Sequence, residues 1–112
     1  TSTITGWSSF TTKLIFTKKI GKTVIVYFHI AGTSNSTGAT FTIPYTSINL
    51  GSLYMGTALL VGYDNSVLLN PAGRAYITDN SNLVIAGPSA GGDLWTASGT
   101  KLIAGYLYLD IP

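Results

Sequence analysis

The sequence predicts an all-β chain, folded as an antiparallel β-sandwich of jelly-roll-like type, and three observations lead there. Glu and Gln are absent and Lys plus Arg number only six, so the straight-chain residues that populate the solvent face of helices are scarce. Thr, Val, Ile, Tyr and Gly abound instead, the vocabulary of strands and tight turns. Apolar residues alternate in short runs bounded by turn signals, and no 3.6-residue periodicity competes with them. Seven or eight such strands in one domain of 112 residues make a sandwich or jelly roll.

The elements follow in order. "TKLIFTKKI" (12–20) runs through Gly21-Lys22 into "TVIVYFHI" (23–30), a predicted hairpin. In the second arm Val24, Val26, Phe28 and Ile30 share one face, which reads as core, while Thr23, Ile25, Tyr27 and His29 share the other. The uncharged stretch "GTSNSTGATFTIPYTS" (32–47) then leads into a strand where Phe41 and Ile43 alternate with Thr40 and Thr42. Pro44 ends that strand or places it at an edge, since it has no N–H to give a ladder. Further strands are expected at 53–62, 66–69, 73–78 and 82–86, and "TASG" turns into the last, 100–111. There Ile103, Leu107, Leu109 and Ile111 face one way, and Leu102, Ala104, Tyr106 and Tyr108 the other.

The whole chain, 1–112, is one domain's length. Only 9% of it is charged, against a norm of about 25%, so small polar and apolar groups must cover much of the surface and a partner surface is expected. The second faces of 23–30 and 100–111 (Ile25, Tyr27, His29, Leu102, Ala104, Tyr106, Tyr108) are too apolar for water. They are expected in a homotrimer interface or against a second sheet. With no cysteine there is no disulfide framework or thiolate metal site. No apolar run nears the roughly 20 residues of a membrane span, so no membrane insertion is expected. The net charge of +2 is too small to argue for nucleic acid. An opening of Thr1-Ser2-Thr3, with neither initiator Met nor signal sequence, suggests a fragment or a processed product.

Catalytic chemistry is poorly supplied. His29 is the sole histidine and lies mid-strand, without a "GxSxG" or comparable context. The four acids, Asp64, Asp79, Asp93 and Asp110, are scattered over three loops and the last strand, where glycoside hydrolysis needs two carboxylates across a cleft. An esterase or depolymerase is therefore disfavoured. "YDNS" (63–66) and "TDNSN" (78–82) lack EF-hand spacing and read as turns rather than calcium sites. No metal and no cofactor is expected. Lys13, Lys18, Lys19 and Lys22 cluster on the first hairpin; they could meet an anionic polymer, but the preferred reading is that they solubilise an edge and deter edge-to-edge pairing.

Two Trp and seven Tyr among many Asn, Ser and Thr suit sugar rings, whose C–H faces stack while their hydroxyls take hydrogen bonds. Tyr54, Tyr63 and Trp95 lie near turn signals and are the better ligand candidates, whereas Tyr27, Tyr106 and Tyr108 fit a subunit interface. "GYDNS" (62–66) and "GGDLW" (91–95) each combine an aromatic, an Asp and small neighbours. Arg74, the sole arginine, offers a fork for an anionic substituent. The candidate ligand set is Tyr63, Asp64, Asn65, Arg74, Asp93 and Trp95.

"GWSSFTTKLIFTKKIGKTVIVYFHIAGTSNSTGATFTIPYTS" and the closing "WTASGTKLIAGYLYLDIP" resemble the C-terminal β-domains of bacteriophage tail-fibre and related virion proteins. The likeness is one of strand and turn residues and carries no catalytic signature; 48–94 is its least familiar part. It implies a trimeric jelly-roll-like domain at a fibre tip or on the virion surface, binding host cell-surface polysaccharide without catalysis. It also implies that "GTSNSTG" (32–38) is a hairpin loop whose hydroxyls and amides cap their own backbone. The alternative is a structural trimerising cap or capsid-decoration domain with no ligand of its own.

Overall fold

Strict alternation over a long run makes a strand that can pair along its whole length, and the two longest alternating segments do so. β3 (Thr23–Ser34) and β10 (Thr100–Asp110) form a continuous antiparallel ladder from Thr100↔Thr33 to Asp110↔Thr23. This ladder is the centre of the molecule. The structure is a computed structural model, and it describes residues 3–48, 54–70, 72–78, 81–88 and 94–112.

The remaining strands are β1 (Ile4–Thr5), β2 (Trp7–Ile20), β4 (Thr40–Thr42), β5 (Tyr54–Ala58), β6 (Val61–Asp64), β7 (Val67–Leu68), β8 (Arg74–Thr78) and β9 (Leu83–Gly87). They build two antiparallel five-stranded sheets, a long one ordered β2-β3-β10-β6-β7 and a shorter one ordered β1-β4-β9-β8-β5. The pairs β3–β10, β4–β9, β5–β8 and β6–β7 are nested, like one long hairpin rolled up on itself. This nesting gives the sandwich its jelly-roll-like character.

The core is the space between the sheets. Val24, Val26, Phe28 and Ile30 of β3 and Ile103, Leu107 and Leu109 of β10 meet Phe41, Ala75, Ile77, Val84 and Ala86 of the short sheet, all buried. Phe28 and Phe41 pack as a tilted pair across the layers, 5.2 Å between centroids. The expected assignment of faces on 23–30 and 100–111 is the one observed.

Four expectations need correcting. The strand expected at 12–20 is β2, which begins at Trp7, and its early part holds two register shifts, between Trp7 and Ser9 and between Phe10 and Thr12. Bulges break the two-residue alternation, which is why the extra length is hidden in sequence. The expected single strand at 53–62 is two strands in different sheets. Its described part breaks where the Leu59 N–H bonds Gly73 and the Leu60 N–H bonds Ala104, so the chain changes layers there. "GTSNSTG" is not a hairpin loop, because β3 runs on through Ser34 and 35–39 carries the chain from the long sheet to β4 in the short one. Its hydroxyls do bond backbone, Ser34 Oγ donating to Thr96 O at 2.6 Å. Nor, among the described residues, does a second sheet cover the outward face of β3 and β10, since the short sheet lies against the opposite, core-facing side.

Candidate functional site

The predicted ligand residues separate into three groups. Asp64, Asn65 and Trp95 come together at one end of the sandwich, and their chemistry there is spent on the fold. Asn65 and Ser66 take φ of 50° and 67°, the two left-handed residues of a tight hairpin turn between β6 and β7. Both Asp64 oxygens are engaged, accepting the Thr96 N–H at 2.9 Å and the Thr96 hydroxyl at 3.1 Å. Trp95 is a correction: it is 2% exposed and part of the core, its Nε1–H donating to Ala86 O at 2.9 Å. A buried indole with its one donor engaged offers no face to a sugar.

At the same end lies a residue that sequence reasoning missed. Lys101 is fully buried, with its Nζ donating to Gly38 O at 2.7 Å and to Ser36 O at 3.2 Å. The Trp7 ring lies 4.8 Å from the ammonium and the Trp95 ring 5.8 Å, a cation–π cage that partly replaces lost water. Burial pulls its pKa down to about 8, opposed by the attraction of the Asp64 carboxylate. Position 101 sits on the inward row with Ile103, Leu107 and Leu109, and that register is the signal that could have found it.

Tyr63 and Arg74 lie elsewhere. Tyr63 is half-buried on β6, opposite Leu102 and Leu68. Arg74 begins β8 in the short sheet, with its guanidinium 4.8 Å from the Tyr76 ring centroid. Tyr76 also lines a shallow cleft of about 190 Å³ with Thr37, Thr40, Ile85 and Leu94. Asp93, and Asp79 of the second candidate turn, fall outside the described residues. Among the described residues no group of three or more His, Cys, Asp or Glu converges as a metal site would.

The outward face of the long sheet carries a row of aromatic side chains. Strand register aligns Phe16 with Tyr27 and Tyr27 with Tyr106, and Tyr108 follows on the same face. Centroids are 5.1 Å apart for Phe16–Tyr27, 6.0 Å for Tyr27–Tyr106 and 5.7 Å for Tyr106–Tyr108. Phe16 is 50% exposed and Tyr108 54%, with Leu14 and Ile20 similarly open beside them. The rings form one connected, partly exposed aromatic surface. Tyr27, Tyr106 and Tyr108 were legible from their strands; Phe16 and Leu14 follow once the hairpin register pairs them with Tyr27 and His29.

The chain matches no family model, no curated protein and no solved structure, so the site must be read from its own chemistry.

Proposed function

We propose that the chain is a non-catalytic adhesion module of a bacteriophage virion, assembling as a homotrimer and binding host cell-surface polysaccharide. The observation that carries the assembly is the uncovered aromatic face. With aromatic side chains burying 150–250 Å² each, Phe16, Tyr106, Tyr108, Leu14 and Ile20 at about half exposure offer on the order of 500 Å² per copy. A standard interface takes about 800 Å² from each partner, so this face is a large part of one. The number three, the virion setting and the glycan come from the resemblance to tail-fibre domains. Copies held by this face leave the short sheet outward, where Tyr76, Thr37 and Thr40 of the cleft, with Arg74 beside them, suit a sugar ring bearing an anionic group.

Light scattering on the purified protein tests the assembly. A trimer is expected, and Tyr27→Lys/Tyr106→Lys should yield a folded monomer that loses whole-cell binding through lost avidity. A wild-type protein that stays monomeric at high concentration overturns it. A second reading, a structural cap or decoration domain without its own ligand, is favoured by Asp64 and Trp95 being engaged internally. Trimers that bind neither cells nor glycans would decide for that reading.

A further inference from the structure

We infer that the free edge of β2 is a docking strip for an extended, acidic segment of a partner protein, which adds a strand to the long sheet. β2 ends the sheet order, so from Thr12 to Ile20 every second residue turns its N–H and C=O away from β3, to a side where no described strand pairs with it. This run is regular, since both register shifts lie earlier, and most of its side chains are exposed. Leu14, Phe16, Lys18 and Ile20 are exposed on the outward face, and Lys13 and Lys19 are exposed on the inward side although they share it with Ile15.

Charge selects the occupant. Lys13, Lys18, Lys19 and Lys22 are four of the chain's six cationic residues, and all lie on β2 or its turn. The described carboxylates are not on β2: Asp64 is tied to Thr96, and Asp110 accepts from the Thr23 hydroxyl at 3.3 Å. A second β2 laid alongside would double the lysines at one seam, and in the register centred on Phe16 it would set Lys13 directly against Lys19. Such charges keep an edge from pairing with its own copy. They equally favour a strand whose carboxylates fall opposite Lys13 and Lys19, six residues apart on one face, with apolar residues on the other face continuing Leu14, Phe16 and Ile20. Main-chain hydrogen bonds then supply affinity and the alternating side chains supply selectivity.

The surface is separate from the proposed glycan cleft, and it extends the aromatic face at its edge rather than covering it. The probe is a synthetic ten-residue peptide with Glu at the two positions opposite Lys13 and Lys19 and Val or Tyr on the other face. Titrated against the whole chain and read by fluorescence anisotropy and β2 amide exchange, it should bind saturably and protect amides between 12 and 20. N-methylation of its pairing amides should abolish binding. Lys13→Glu/Lys19→Glu, both exposed, should weaken binding at least about tenfold while gaining affinity for the Lys-for-Glu peptide. No saturable binding, equal binding of the N-methylated peptide, or indifference to the charge swap would overturn the inference. So would β2 amides already protected in the protein alone, which would give the edge to a second copy. A uronate or sulfated polysaccharide that binds through these lysines and leaves β2 exchange unchanged would assign them to a glycan instead.

Discussion

At Lys101 the chain accepts a buried cation to which no carboxylate among the described residues is hydrogen-bonded, and the consequence is a pH dependence of unusual sign. The folded pKa, about 8, lies below the 10.5 of an ordinary lysine. Between those values the unfolded chain still holds a proton that the folded one has released, so this group's contribution to stability rises with pH across that window and is flat below it. Melting midpoints at pH 7.5 and 9.5 should therefore rise for the wild type relative to Lys101→Met; equal pH responses would show that the ammonium is not desolvated. Asp64→Ala removes the acceptor of two Thr96 bonds and should cost about 1–2 kcal/mol in urea denaturation. It should leave cell binding per folded molecule unchanged, whereas a folded variant that loses binding would return Asp64 to the ligand set.

Among the elements, alternation told most of the story. It identified β3 and β10, their core rows and their apolar outward rows, because a half-buried strand writes its burial into every second residue. It failed where the chain changes layers. Leu59 and Leu60 sit in an unbroken apolar run, and only long-range bonds to Gly73 and Ala104 reveal that the run bends there. It failed again at the β2 bulges, where Gly32 lets the strands approach so closely that a Cβ would run into the Ser9 carbonyl. Gly32→Ala should cost about 1–3 kcal/mol by forcing that bulge apart, checked by the shift in denaturant midpoint. A neutral result would mean that the bulge can relax.

For the whole molecule, the site was less legible than the fold. Turn position and residue type placed Trp95 in a candidate loop, yet nothing local distinguishes a loop tryptophan that reaches solvent from one that folds back to bond Ala86 in the core. The aromatic face was foreseen as too apolar for water; what had to be seen was that the second sheet leaves it open. If no metal is needed, as the scattered acids imply, chelation should change neither melting temperature nor oligomeric state. A drop in either would point to an oxygen-ligand site involving Asp79 or Asp93.

The nested pairing has a consequence for how the molecule comes into being. The β6–β7 turn is the innermost fold of the roll, and each enclosing pair closes only a little more chain than the one before it, so zipping outward from that turn keeps every loop-closure step small. The opposite order, starting from β3–β10, would join residues up to 87 positions apart at once. Because β10 follows every other strand, the long sheet cannot acquire its centre until all the rest has been made, and until then β3 carries one edge without its partner. The interval between synthesis and closure is thus the stage at which this chain is most open to mispairing, and the lysines flanking β3 on the first hairpin are in place throughout it.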